Sequence, residues 1–276
     1  GLSSEDSIKR VKESAPDIIG ISVLFSNRAT EAAELAKAIK ENYPGCPIIM
    51  GGQHPSGIPE AIIASEDVDY VLTGECDTSI VLLLNSLNGR FPMDQVPSLY
   101  YKQDGQVLNT LSGNKPAVQG DGWQYLLRDD SPNPANLNEL SFPAWHLFPM
   151  EAYWDAEVRV GGGDVMKERY AVMVSTRGCP WTCDFCTSPL MGGFKGYRRR
   201  TNEEVVAEIR WLADEFGVEE IKFLDDNFFV SKPRVKSLLK VLAEEFKDMV
   251  FSVPSGTEVN ALDAETIGLM AKANFY

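Results

Sequence analysis

The sequence has 276 residues, 44% of them hydrophobic, which predicts about two domains with packed cores and excludes a peptide or a disordered tail. With 26 Lys and Arg against 40 Asp and Glu, the net charge of -14 argues against nucleic acid and anionic membrane surfaces as partners. There is no run of about 18 apolar residues and no signal-peptide pattern, so we expect a cytoplasmic protein without a membrane partner.

The first half of the chain alternates predicted helices with short apolar strands. The helices are predicted at 4–14, 29–43, 59–65 and up to about residue 87, the strands at 18–23, 47–50 and 70–72, and a hairpin at 99–108. This order is typical of an α/β fold with a parallel sheet covered on both faces, whose ligands bind at the carboxyl ends of the strands.

Small and acidic residues follow the predicted strands at that edge. They are Ser22, Gly51, Gly52, Gly74 and Glu75. Strand-to-helix turns that need positive φ explain the glycines equally well. Residues 111–165 contain several prolines and a Gly161-Gly162-Gly163 run, which predicts a linker between a first domain at 1–110 and a second at 166–276.

The second half begins with a predicted strand at 170–175 that leads directly into Cys179, Cys183 and Cys186. Thiolates at this C-x3-C-x2-C spacing can converge on one iron–sulfur cluster. Such clusters normally take four cysteines, so three leave one iron open to an outside ligand. A zinc site is the alternative, but it needs a fourth ligand, and no second closely spaced pair exists among Cys46, Cys76, His54 and His146.

Three strand–helix units follow one another in this half. The expected strands are 170–175, 220–224 and 250–253; the helices begin at a Thr201/Glu204 capping box, at Ser231 and Pro233, and after Asp263. Such a series predicts the beginning of a parallel barrel, in which active sites lie at the carboxyl ends of the strands. The cysteines and the Asp225-Asp226-Asn227 turn would share that mouth.

The cysteine spacing, with Phe185 before the last cysteine and a strand before the first, resembles the radical S-adenosylmethionine (SAM) superfamily. The segments 47–55, 69–75, 142–144 and 223–228 resemble the branch with an N-terminal cobalamin-binding domain. The resemblance implies a Rossmann-like cobalamin-binding domain followed by the first half of a radical SAM partial (β/α)6 barrel.

The resemblance also implies the cofactors and their contacts. A 4Fe-4S cluster would be held by Cys179, Cys183 and Cys186, and its free iron would bind the amino and carboxylate groups of SAM. Phe185 would lie against the adenine, and Asp225, Asp226 and Asn227 would contact the methionine amino group, although a solvated acidic turn is the alternative. Ser22, Gly51, Gly52, Gly74 and Glu75 would line cobalamin.

The implied activity is cleavage of SAM to a 5'-deoxyadenosyl radical, with cobalamin-dependent methyl transfer to an unactivated carbon of a small molecule. An electron donor such as flavodoxin or ferredoxin would be a partner. Ring-forming oxidation or another radical reaction, with or without cobalamin, stays open. A zinc- or cluster-bearing binding protein is the alternative from another class.

The sequence departs from the family pattern at both ends. The first strand of the cobalamin-binding fold, with the loop that can carry a cobalt-ligating histidine, is absent, and only three of six barrel units are present. We therefore expect a fragment of a longer protein. His54 is interpreted as a turn residue, so no cobalt ligand is assigned, and Cys46 and Cys76 are interpreted as buried thiols rather than ligands of an auxiliary cluster.

Overall fold

The computed structural model describes residues 3–111, 136–155, 167–181, 183–184, 186 and 197–276. These residues form two compact units, one before and one after the 112–135 segment. Within these ranges, no helix is both long and apolar enough to cross a membrane.

The first unit is a sheet with helices on both faces. In chain order and in sheet order its strands are β1 (Ile19–Ser22), β2 (Ile48–Gly51), β3 (Tyr70–Leu72), β4 (Leu99–Gln103) and β5 (Gln106–Asn109). Its helices are α1 (Ser4–Ser14), α2 (Ala29–Asn42), α3 (Gln53–Gly57), α4 (Pro59–Ile63) and α5 (Asp77–Leu87). The pairs β1–β2 and β2–β3 are parallel, whereas β4 and β5 add an antiparallel hairpin. The predicted α/β fold is confirmed.

The alternation of side chains along β2 explains the two covered faces. Ile48 and Met50 are buried in one cluster together with Ile39 of α2, whereas Ile49 is buried in another with Leu83 of α5. The three apolar side chains of β2 are therefore buried in a core on one side of the sheet or the other.

The second unit is a parallel sheet with helices packed against it. Its strands are β6 (Tyr170–Met173), β7 (Thr176–Arg177), β8 (Arg198–Arg199), β9 (Glu220–Phe223) and β10 (Val250–Ser252). Its helices are α6 (Met150–Asp155), α7 (Asn202–Phe216), α8 (Lys232–Glu245) and α9 (Ala264–Lys272). β6, β9 and β10 form a parallel sheet with β9 in the middle, and β7 and β8 form a separate antiparallel pair.

Two of the three predicted helix starts in this unit have the predicted side-chain cap, whereas Ser231 precedes α8 without a capping hydrogen bond from its side chain. The Thr201 side chain accepts a hydrogen bond from the Glu204 backbone N–H at 3.3 Å, and Gly217 ends α7 with φ of 63°. Asp263 caps α9 by accepting from the Thr266 N–H at 2.8 Å.

The two faces of this parallel sheet differ in polarity. Ile221 and Phe223 of β9 belong to the apolar cluster that includes α7 and α8. Glu220 and Lys222 alternate with them; their side chains are 0% and 1% exposed, and Lys222 Nζ lies 3.4 Å from Glu220 Oε1. Because a buried charge is costly without a partner, this ion pair makes the second face compatible with burial.

The segment predicted as a linker requires a correction. Its described part, residues 136–155, belongs to the second unit. Trp145 is 8% exposed within the apolar cluster, and its Nε1 donates to Glu208 Oε1 at 3.1 Å. Trp154 Nε1 donates to the Tyr170 carbonyl at 2.8 Å. The prolines in this segment suggested a linker, but the buried Trp145 and the partly buried Trp154 attach it to the second unit.

Candidate functional site

The cysteine-bearing segment follows β6 at the carboxyl edge of the parallel sheet. Cys179 and Cys186 are half-buried and Cys183 is exposed, and all three are free thiols. The Cys186 N–H donates to the Cys183 carbonyl at 3.0 Å, which forms a turn between the last two cysteines. We call residues 178–186 the cysteine loop.

Asp225, the second residue after β9, braces the chain just before the cysteine loop. Its side chain is 0% exposed, and one oxygen accepts from the Ser175 N–H at 2.8 Å and the Thr176 Oγ1 at 2.7 Å. The Thr176 N–H and the Ser175 hydroxyl also donate to this carboxylate. Burial raises the pKa of Asp225 to about 6, although the hydrogen bonds from Thr176 and the charge of Arg234 act in the opposite direction.

The next two residues contact the cysteine loop itself. Asp226 is exposed, and its Oδ2 accepts from the Gly178 N–H at 3.0 Å. Asn227 is 6% exposed, and its Nδ2 donates to Cys179 Sγ at 3.8 Å. Three consecutive side chains of one turn therefore bind the segment from Ser175 to the start of β7, the loop backbone and one thiol.

Arg234 is a residue of this region that sequence reasoning missed. It lies in the first turn of α8, is 8% exposed, and its Nη2 donates to the Ser175 carbonyl at 3.5 Å. Its Nε and Nη1 have no hydrogen-bond partner in the described structure, and burial lowers the pKa of the guanidinium. Its position next to Val235, on the apolar face of a predicted amphipathic helix, was the sequence feature that could have indicated a buried arginine.

The structure does not assemble a complete ligand set. Among the residues that it describes, no three His, Cys, Asp or Glu side chains lie close enough together to hold a metal ion. Phe185, the predicted adenine contact, lies outside the described residues. The three cysteines therefore share a loop without forming a preassembled site.

At the carboxyl edge of the first unit, the structure brings together the predicted turns after β1, β2 and β3. Ser22 is exposed, and the half-buried residues at this edge are Gly51, Gly52, Gly74 and Glu75. The Val23 N–H donates to the Gly51 carbonyl at 2.8 Å, and the His54 N–H donates to the Val23 carbonyl at 3.0 Å.

Ser56 connects two of these turns and was also missed by sequence reasoning. Its hydroxyl donates to the Gly52 carbonyl at 2.7 Å and accepts from the Gly74 N–H at 2.9 Å. Ser56 lies on α3, and His54 of the same helix has its Nδ1 3.0 Å from Ser26 Oγ. The three turns are thus one hydrogen-bonded rim.

The rim also exposes apolar side chains. Leu24, Phe25 and Ile58 are 56%, 66% and 44% exposed. Large apolar side chains exposed near such an edge can contribute to a surface that binds a ligand or another chain.

Comparison with known proteins identifies both units. Residues 2–84 match the family model of the B12 binding domain, and residues 173–275 match that of the radical SAM superfamily. The chain is 30% identical over its whole length to cytidylyl-2-hydroxyethylphosphonate methyltransferase of Streptomyces wedmorensis, and it spans about half (52%) of that relative.

Solved structures agree in fold. The radical SAM methyltransferase TsrM from Kitasatospora setae, with cobalamin and a [4Fe-4S] cluster bound, matches 98% of this chain and 51% of its own, with a TM-score of 0.67 and 16% identity. OxsB, a cobalamin-dependent SAM radical enzyme, matches 99% of this chain and 36% of its own, with a TM-score of 0.69 and 18% identity. At these identities the likeness shows the fold alone.

Proposed function

We propose that this chain, which belongs to the radical SAM superfamily in the branch with an N-terminal cobalamin-binding domain, is a methyltransferase. The proposed reaction is cobalamin-dependent methyl transfer to an unactivated carbon. The observation that carries the proposal is the loop of three free cysteines at the carboxyl edge of the barrel sheet, braced by the turn after β9.

In this proposal Cys179, Cys183 and Cys186 hold a 4Fe-4S cluster. The donor set fits, since the three free thiols supply one ligand fewer than the four that such a cluster normally takes, leaving one iron for SAM. When bound, the cluster supplies the electron that cleaves SAM to methionine and a 5'-deoxyadenosyl radical, and cobalamin supplies the methyl group.

The turn after β9 orients SAM in this proposal. Asp226 has an exposed carboxylate, and the Gly178 N–H fixes one of its oxygens, so the other can accept from the ammonium group of SAM. Asp225 is buried and keeps the segment before the cysteine loop in place, whereas Asn227 contacts the Cys179 thiol. Phe185 remains the proposed adenine contact.

The rim of the first unit fits a large ligand with apolar faces. Exposed Leu24, Phe25 and Ile58 provide apolar contact area, and Ser22 with the glycine turns at 51, 52 and 74 provides an edge that bulky side chains do not obstruct. We assign this rim, including Glu75, to cobalamin and its nucleotide tail.

The proposal implies a small-molecule substrate, and an electron donor such as flavodoxin or ferredoxin. It also includes a cytoplasmic location, because a cluster held by reduced thiolates needs a reducing compartment.

The test is anaerobic reconstitution of the full-length protein with iron and sulfide. We expect about four irons per chain and, with dithionite and SAM, formation of 5'-deoxyadenosine. Cys183→Ala should lose both, whereas Cys46→Ala, which removes a buried thiol of the first unit, should keep both.

Two further measurements separate the alternatives. Hydroxocobalamin should keep its visible absorption on the protein after desalting, and methyl-labelled SAM should transfer label to the product. Unlabelled product would favour ring-forming oxidation. One zinc and no iron, or Cys183→Ala with unchanged iron and 5'-deoxyadenosine, would overturn the proposal.

A further inference from the structure

We infer that Asn227 is a positioning residue that sets the reduction potential of the cluster by donating a hydrogen bond from its side-chain amide to the Cys179 thiolate. The inference rests on the proposed function, because it needs a cluster on Cys179. Its structural basis is the 3.8 Å contact between Asn227 Nδ2 and Cys179 Sγ.

The hydrogen bond between Asn227 and Cys179 lies in surroundings that strengthen it. Asn227 is 6% exposed, so water competes little for its amide, and hydrogen bonds are stronger in such surroundings. Its Oδ1 has no hydrogen-bond partner in the described structure, so the Cys179 contact is the hydrogen bond that the structure gives this side chain.

The neighbouring contacts hold the turn that carries Asn227. Asp225 binds Ser175 and Thr176 on one side of the turn, and Asp226 binds the Gly178 N–H beside Cys179. Because the turn is attached to the segment before Cys179 at these points, Asn227 has little freedom to move away from the thiol.

A donor on a thiolate changes the potential in a predictable direction. Reduction adds negative charge to the cluster and its sulfur ligands, so a hydrogen bond to sulfur stabilises the reduced state more than the oxidised state. Removing the donor should therefore lower the potential and make the cluster harder to reduce.

The experiment measures the potential of reconstituted clusters in the full-length protein by anaerobic redox titration followed by electron paramagnetic resonance. Asn227→Leu removes the donor at similar volume, and Asn227→Asp replaces the amide by a carboxylate and adds a negative charge. We expect Asn227→Leu to shift the reduction equilibrium about threefold to tenfold toward the oxidised cluster, or about 30 to 60 mV for one electron. Asn227→Asp should shift it further in the same direction.

Asn260→Leu is the matched control, since Asn260 is an exposed asparagine of the same unit whose side-chain amide donates to Glu258. The cluster of this control variant should have the same reduction potential as that of the wild type. A merely structural role would reduce the iron content of the variants but leave the potential of the clusters that form unchanged. If the clusters of both Asn227 variants form and have the wild-type reduction potential, the inference is wrong while the proposed function stands. If the wild type itself binds no cluster, both the inference and the proposed function fail.

Discussion

At the residue scale, burial gives the two neighbouring aspartates of the turn after β9 different roles. Asp225 is fully buried and accepts hydrogen bonds from Ser175 and Thr176, whereas Asp226 is exposed and can meet a positively charged group. The family resemblance implied a contact of all three residues of this turn with the amino group of SAM, and it did not distinguish the buried carboxylate from the exposed one. Which carboxylate faces inward depends on the pairing of β6 with β9, and the local sequence does not contain that information.

The raised pKa of Asp225 predicts a pH-dependent stability. Its pKa rises from 3.8 to about 6 on folding, so the native state binds this proton more tightly than the unfolded state does. The stabilisation is therefore fully present below about pH 4 and is lost as the pH rises through about 6. Relative to Asp225→Asn, the wild type should lose about 2 kcal/mol of unfolding free energy between about pH 4 and pH 7.

Urea denaturation of the cofactor-free protein, followed by tryptophan fluorescence, measures this difference across the pH series. Asp226→Asn is the control, because Asp226 is exposed and its substitution should give no comparable slope. A wild-type-minus-Asp225→Asn difference that stays flat, or rises with pH, would contradict the buried position of this carboxylate.

At the element scale, the rim of the first unit depends on close packing between the turns after β1 and β2. Gly52 has φ of 98°, and a Cβ at this position would lie 2.8 Å from the Val23 carbonyl oxygen. Val23 is also the residue whose carbonyl accepts from the His54 N–H. Any side chain at position 52 would therefore strain the backbone and separate the two turns.

Gly52→Ala should consequently destabilise the first unit by about 3 kcal/mol, from the left-handed backbone and the clash together. Gly45→Ala separates the two causes, since Gly45 has φ of 88° but no atom within 4 Å of the place that a Cβ would occupy, and should cost about 1 kcal/mol. Chemical denaturation of both variants gives the comparison. If both variants lose the same unfolding free energy, the contact between the new Cβ and the Val23 carbonyl does not contribute to the destabilisation.

Local pattern predicted most elements, and long-range packing explains the exceptions. Caps at Thr201 and Asp263 were readable because a capping side chain and its partner are neighbours in sequence. Helix α3 was not predicted, since its QHPSG sequence contains turn-forming residues and only its contacts with the rim favour a helix. Trp145 was placed in a linker because its partner, Glu208, lies 63 positions away.

At the scale of the whole molecule, the two units have separate hydrophobic cores, and each presents its candidate residues at the carboxyl edge of its own sheet. The clusters around Ile48 and Leu72 lie in the first unit, and the cluster around Phe223 lies in the second. Since the buried side chains of each cluster come from one unit only, damage to one site should leave the other able to load its cofactor.

Cross-loading of two variants tests this independence. Cys183→Ala should lose the roughly four irons of the cluster yet retain hydroxocobalamin through desalting, because its exposed side chain contributes nothing to the first core. Gly52→Ala should show the reverse: weakened cobalamin retention, because the rim turns are separated, with wild-type iron content. Iron analysis and visible absorption of the same desalted samples provide both readouts. Loss of both cofactors in either variant would mean that the units fold or load as one cooperative body, despite their separate cores.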